Sequence, residues 1–424
     1  MSTTPSTLSR PTPERHVFPL PITLGIRNGN SLDAEREEAT LWCAALRYPV
    51  SVRQRNEGGL TLVLTHGMSS HKESYHPMIS RLLQLNSAGN RDTTGIREIW
   101  SIDLPNHGES AVLNRTLLDS RKGRGMKEGW EGRFTTMDLS AYLNAFLSLP
   151  QLQGHRVVGV AHSGSSTIWI YAWTILERSH SHPFAIVFIE PTLMFPGMLP
   201  TDPRVIHGAA NVRGALVKRD RWSNREEARQ WLLGIKQDRT RKQGTRENAT
   251  KCEEVKKRSN SNSKNKGKGI WSRWDDRALA LYVEYAFEDI HEPAPSNNPV
   301  TFGSYTTPTF RKDEESMLYA CLEHTVQPSQ LAHLCKFLRP DTSKGFDDPG
   351  GVHIIWAEIE EFISKSARAD ILSAAENSII SQRIIQGTGH LIPQEKPDDL
   401  AIALYDVLET HIAFMASKSV RAAL

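Results

Sequence analysis

The sequence predicts an α/β protein built on a mostly parallel, doubly wound sheet with an inserted helical lid. Three observations predict it. Short apolar runs recur at 60–65, 98–102, 157–160, 184–189 and 351–357, as expected of strands covered on both faces. Helical patterns such as 75–85, 137–149 and 366–375 fall between them, the alternation that builds parallel βαβ units. The stretch 196–345 departs from this rhythm and carries amphipathic helices of its own.

At 424 residues the chain can hold one large domain with an insertion, or two domains. Hydrophobic residues make up 39% and mean hydropathy is −0.43. No apolar run reaches about 18 residues, so no transmembrane helix is expected. Residues 1–15 are rich in Ser, Thr and Pro and lack the apolar segment of a secretory signal. They read as a flexible tail, and the chain as intracellular. Cys43, Cys252, Cys321 and Cys335 show no CxxC spacing, so they are expected to be reduced and structural, without disulfide or zinc. The sequons at Asn114 and Asn248 then carry no meaning. The net charge of +3 is local, because residues 235–268 hold 12 Lys/Arg against 4 Asp/Glu and leave about −5 for the rest. A body of that sign argues against a nucleic-acid partner. The basic segment is too poor in apolar residues to offset its ordering entropy and is expected to be disordered. A basic docking arm is the alternative.

Taken in order, 17–52 hints at an edge hairpin, with Ala39-Thr40-Leu41-Trp42-Cys43-Ala44-Ala45-Leu46 as a strand. The run 60–65 stops at His66-Gly67-Met68, and a helix follows at 75–85. Strand 98–102 runs into Asp103-Leu104-Pro105-Asn106-His107-Gly108-Glu109-Ser110, where Asp103 and His107 read as loop organisers. In Val157-Val158-Gly159-Val160-Ala161-His162-Ser163-Gly164-Ser165-Ser166 an apolar strand ends abruptly in small residues around one serine. A helical run starts at Thr167, which completes the strand–turn–helix order of a nucleophile elbow. Strand 184–189 ends in Glu190-Pro191, a carboxylate on the edge where α/β sites form. The first part of the core is thus 16–195. Across the lid, 196–345, Ser223 and Glu226 predict a capping box for a helix at 225–233. There 274–289 reads as one amphipathic helix, 293–308 as a loop, and 316–323 and 330–338 as further lid helices. The core resumes over 346–424 with strand 351–357, Glu358-Ile359-Glu360-Glu361, helix 366–375, strand 378–385, Gly387-Thr388-Gly389-His390 and a closing helix at 397–415.

Ser163, a carboxylate and His390 follow one another along the chain. A serine hydroxyl is a poor nucleophile unless an imidazole takes its proton, and that imidazole needs a carboxylate to hold one tautomer. His390 stands in a Gly-rich loop able to carry a ring over the elbow. Two carboxylates compete for the third role. Glu360 follows the strand after the lid; Glu190 follows a buried strand directly, with the lid beginning after it. Against them stand structural readings, in which Glu190 caps the lid entry and Glu358, Glu360 and Glu361 form a solvated cluster.

Together, His66-Gly67, the Asp103–Ser110 loop, the elbow and Gly389-His390 resemble the α/β-hydrolases, which share this chain order. The likeness covers roughly 40–234 and 270–415. Ile102-Asp103-Leu104-Pro105-Asn106-His107-Gly108-Glu109-Ser110-Ala111 and Ile189-Glu190-Pro191 resemble, more narrowly, fungal peroxisomal lipase-like hydrolases and their toxin-biosynthesis relatives. The resemblance implies the α/β-hydrolase fold and hydrolysis of a lipid or secondary-metabolite ester or lactone without metal or organic cofactor. It supports Glu190 as the acid through the shared Ile-Glu-Pro, and it implies Met68 and Gly164 as oxyanion N–H donors. It implies an apolar small-molecule substrate held by the lid's Trp and Phe residues. Ala161 and Ser165 stand where the family's Gly-His-Ser-Met-Gly elbow carries glycines. Arg421-Ala422-Ala423-Leu424 lacks the basic residue of a Ser-Lys-Leu-type signal, so a cytoplasmic location is expected, with peroxisomal import as the alternative. Two other classes remain open: a non-catalytic ligand-binding protein on this fold, and an interaction protein using 235–268.

Overall fold

The apolar runs assemble into one eight-stranded sheet. In chain order the strands are β1 (Glu14–Ile26), β2 (Glu35–Pro49), β3 (Leu60–Thr65), β4 (Ile96–Ile102), β5 (Arg156–His162) and β6 (Ala185–Ile189). A separate hairpin of β7 (Phe287–Glu292) and β8 (Gly303–Pro308) precedes β9 (Gly351–Ala357) and β10 (Ser381–Ile385). The computed structural model describes residues 12–26, 35–50, 59–88, 95–121, 134–175, 183–235, 270–292, 303–320, 325–340 and 350–422. All of the basic segment beyond Ile235 lies outside them.

Across the sheet the order is β1-β2-β4-β3-β5-β6-β9-β10. The strands from β4 to β10 run parallel, and the antiparallel β1–β2 pair covers one edge, joining through β2 against β4. Strands β3, β5, β6 and β9 are buried almost throughout because helices cover both faces. Alternate side chains serve opposite layers. Leu62, Leu64, Val158, Val160, Val187 and Ile189 meet Met78, Ile79 and Leu82 of helix His76–Ala88 and Leu400, Leu404 and Val407 of helix Pro397–Ala422. Val63, Ala161, Phe188, Ile354 and Trp356 belong to the other layer, with Leu139, Leu143 and Phe146 of helix Thr136–Leu147 and Trp169 of helix Ser165–Ile175.

Between β6 and β9 the chain leaves the sheet. Trp222, Ala228, Leu232, Trp274, Ala278, Leu279, Ala286 and Phe287 form a small apolar core of their own. Several boundaries here differ from expectation. The helix predicted at 274–289 spans Asp276–Tyr285, because Phe287–Glu292 pairs antiparallel with Gly303–Pro308, part of the expected loop. The capping box predicted on Ser223 and Glu226 shifts by one residue. Asn224 accepts the Glu227 N–H, and the Glu227 carboxylate reaches back to Ser223. Helix Pro328–Phe337, expected in the lid, packs on the sheet's flank instead. Its Leu331, Leu334 and Cys335, spaced on one helical face, are buried in the main core beside helices Ser165–Ile175 and Lys365–Ala374. Strand β1 begins at Glu14, inside the stretch read as a tail.

Gly159 on β5 lies against Trp169 of the following helix, where a Cβ would come within 2.6 Å of the indole. Gly159→Val must push that ring out of a close-packed layer. We expect a loss of about 1–3 kcal/mol in urea unfolding; unchanged stability contradicts this packing.

Candidate active site

Strand β5 ends in the turn that presents Ser163. The serine has φ +57°, a left-handed conformation that costs a non-glycine residue about 1–3 kcal/mol. Several contacts hold it. The Ser163 N–H donates to the Ile189 carbonyl at 2.9 Å, and the Ser166 N–H to the Ser163 carbonyl at 3.0 Å. Ala161 and Ser165 are both fully buried. The Ser165 hydroxyl donates to the His66 carbonyl, so the residue in place of the second elbow glycine ties the elbow to the loop after β3. Gly67 is required there: a Cβ would stand 2.7 Å from His162 Nδ1 and 3.2 Å from Ser163 Cβ.

His390 lies in the loop after β10, with Nε2 2.9 Å from Ser163 Oγ. On the other side of the ring Nδ1 is 3.3 Å from Glu190 Oε2. Glu190 is buried, has φ +46°, and receives the Ala357 N–H on its other oxygen at 2.7 Å. Arg368 lies 3.7 Å from that same oxygen while donating to the Ala357 carbonyl. The carboxylate is therefore held in place and faces the imidazole; in the tautomer with the proton on Nδ1, Nε2 is free to accept from Ser163. Glu360, the competing acid, stands elsewhere: it is exposed, and its carboxylate accepts the Lys365 N–H at 2.9 Å. That bond directs it to the start of the next helix and away from the ring. Its neighbours are not simply solvated either, because Glu358 accepts the Gly387 N–H and Glu361 the His390 N–H.

Met68 and Gly164 face one another, with the methionine side chain lying over the glycine so that a Cβ there would meet Met68 Cε at 3.0 Å. Neither backbone N–H has a hydrogen-bond partner among the described residues. Ser69, next in the loop, has φ +63° and gives its N–H to His107 Nε2 at 3.2 Å. His107 Nδ1 in turn donates to Asn106, and the ring stacks on Phe310 at 3.8 Å. Asp103 organises this loop as expected, accepting from the backbone of Lys72 and Glu109 and from Lys72 Nζ. Lys72, itself buried, also pairs with Glu73 and Glu109.

Several supporting residues carry no signature in the sequence. His162 Nε2 donates to the His390 carbonyl at 3.0 Å. Phe362 packs against the His390 ring at 4.8 Å between centroids, and Thr192 Oγ1 lies 3.5 Å from Ser163 Oγ. The expectation that the lid's Trp and Phe residues line an acyl pocket does not fit Trp222, Trp274 and Phe287, which are buried in the inserted region's own core.

A family model described as the alpha/beta hydrolase family matches residues 62–403. The chain belongs to the α/β-hydrolase family. No curated protein sequence matches it. Among solved structures this hydrolase-family chain is similar to the peroxisomal alpha-beta-hydrolase Lpx1 of Saccharomyces cerevisiae, with TM-score 0.58 and 14% identity over 96% of this chain and 90% of that one. Weaker likenesses are to E-2-(acetamidomethylene)succinate hydrolase, with TM-score 0.49, 12% identity and coverage of 92% and 99%. A soluble variant of monoglyceride lipase from Saccharomyces cerevisiae gives TM-score 0.42, 12% identity and coverage of 97% and 99%. At these identities the likeness is one of fold.

Three buried histidines of this α/β-hydrolase site, His66, His107 and His162, are neutral. Burial depresses His66 and His162 from 6.5 to about 3, and holds His107 well below the usual range. His66 Nδ1 donates to the Gly67 carbonyl and Nε2 accepts the Leu104 N–H, a pattern that a protonated ring breaks. Between the two pKa values the unfolded chain binds the extra protons, so stability rises with pH across that window and is lost as pH falls below 6.5. We expect urea-unfolding free energies to fall by up to about 1.4 kcal/mol per pH unit for each such histidine between about pH 6 and 4. His66→Gln should lessen the slope. Stability that holds constant to pH 4 contradicts neutral burial.

Proposed function

We propose that the chain is a serine hydrolase of carboxylic esters, with Ser163 as nucleophile, His390 as general base and acid, and Glu190 as the carboxylate that orients the imidazole. One observation carries the reading: a single imidazole lies within hydrogen-bond reach of a strained serine through Nε2 and faces a buried carboxylate through Nδ1. Ser163 Oγ attacks the carbonyl carbon as its proton passes to His390 Nε2. The oxygen of the tetrahedral intermediate takes the N–H groups of Met68 and Gly164. On collapse the C–O bond breaks, and His390 returns the proton to the departing alcohol. Water, deprotonated by His390, then attacks the acyl-enzyme; the acid departs and Ser163 regains its proton. Glu190 keeps Nδ1 protonated and stabilises the imidazolium formed in each half. The reaction calls on no cofactor. The apolar faces of Met68 and Phe362 beside Ser163 and His390 favour an apolar acyl or alcohol group, such as a lipid or secondary-metabolite ester.

A fluorophosphonate probe is expected to label wild type at Ser163. Ser163→Ala and His390→Ala should abolish both labelling and ester hydrolysis, and Glu190→Gln should lower kcat by on the order of 10²–10⁴-fold. Glu360→Gln should match wild type. Unlabelled, correctly folded wild type would favour a ligand-binding protein on this fold, and a loss confined to Glu360→Gln would reassign the acid.

A further inference from the structure

Arg273 ends the short 3-10 turn Ile270–Arg273 of the inserted region and reaches across to the sheet's edge. Its Nη2 donates to Glu361 Oε1 and, at 2.8 Å, to Glu395 Oε1. The second oxygen of each carboxylate is occupied by the loop that carries His390. Glu361 Oε2 accepts the His390 N–H at 3.1 Å. Glu395 Oε2 accepts the Gly389 N–H at 2.8 Å and the Thr388 hydroxyl at 3.1 Å. One guanidinium thus stands behind two carboxylates that hold three consecutive residues, the last of them the histidine facing Ser163.

The arrangement is tight enough to dictate sequence. A Cβ on Gly389 would approach within 2.8 Å of Arg273 Nη2 and closer still to Glu361, which accounts for the glycine before His390. Without the cation two carboxylates would stand side by side, and their repulsion would be relieved by withdrawing from the loop. The same part of the inserted region is fastened beside it. The Asp275 N–H donates to the Gln394 carbonyl at 2.9 Å, and Leu391 packs against the cluster of Trp274 and Leu279.

We propose that Arg273 is a positioning residue: through Glu361 and Glu395 it sets the place of the His390 imidazole, and so makes the reactivity of Ser163 depend on the seating of the inserted region. The inference rests on the proposed roles of Ser163 and His390. Lysine supplies the charge but not the planar fork, so Arg273→Lys should retain part of the function that Arg273→Ala loses.

The test compares full-length wild type, Arg273→Lys, Arg273→Ala and Arg277→Ala, whose arginine pairs with Asp275 and Asp398. Each is measured for fluorophosphonate labelling rate, kcat and KM on p-nitrophenyl butyrate, and thermal unfolding. Misplacement of the imidazole should lower the labelling rate and kcat of Arg273→Ala by about 10–100-fold. Its KM and melting temperature should stay near wild type, Arg273→Lys should fall between, and Arg277→Ala should label like wild type. Added guanidinium at millimolar concentration should restore part of the rate in Arg273→Ala and none in Ser163→Ala. Labelling and kcat equal to wild type in Arg273→Ala would overturn the inference. So would a loss that follows the melting temperature and answers neither to lysine nor to guanidinium. Wild type that fails to label would overturn the serine-hydrolase reading and this inference with it, whereas labelled wild type with an indifferent Arg273→Ala would overturn this inference alone.

Discussion

A left-handed backbone turn at Ser163, at the end of a strand with no room to spare, is the constraint on which the site depends. It lifts the hydroxyl clear of the sheet, and its cost has to be met by contacts that leave the chain no easier path. Those contacts come from both neighbouring strands. Ile189 at the end of β6 takes the serine N–H, and His66 after β3 takes the Ser165 hydroxyl. Ser69 and Glu190, also left-handed, follow β3 and β6 in the same way. Strain is gathered where three parallel strands end together, and the helices on both faces hold those strands in place.

Buried charge holds the second rim of the site. Lys72 lies among Asp103, Glu73 and Glu109, and Asp103 also takes two backbone N–H groups. Removing one member of such a cluster leaves an unpaired buried charge, a loss of about 3–5 kcal/mol, so the network acts as one unit. Its effect is to fix the loop of His107, which in turn accepts the Ser69 N–H next to Met68. His66 and His107 are structural and neutral, each donating through one nitrogen and accepting through the other, while His390 lies between the Ser163 hydroxyl and the Glu190 carboxylate.

The inserted region has a core of its own but is not independent of the chemistry beneath it. Leu391, one residue past His390, packs on that core, and Arg204 ties helix Pro203–Val217 to Asp370 on a helix of the main fold. Trp222, Trp274 and Phe287 serve this packing, while Met68 lies over Gly164, Thr192 stands beside Ser163 and Phe362 packs on His390.

Much of this was legible in the chain. Leu60–Thr65 and Gly351–Ala357 match their apolar runs residue for residue, because a strand buried on both faces admits almost nothing else. Ser163 and His390 could be singled out because tight turns and glycine-rich loops are written in local composition. The antiparallel pair of Phe287–Glu292 and Gly303–Pro308 could not be read, since pairing partners decide whether such segments are strand or helix, nor could the placing of helix Pro328–Phe337, whose apolar face fits lid and core alike. The choice between Glu190 and Glu360, the bond from Ser165 to His66 and the clamp of Arg273 on the His390 loop join residues far apart in sequence. Sequence by itself determined the alternation of elements and the chemical types available, because these follow from local periodicity and turn chemistry. Only the tertiary structure decided which carboxylate faces the imidazole and what holds the loop that carries it, because hydrogen bonds act over about 3 Å and only folding brings distant residues that close.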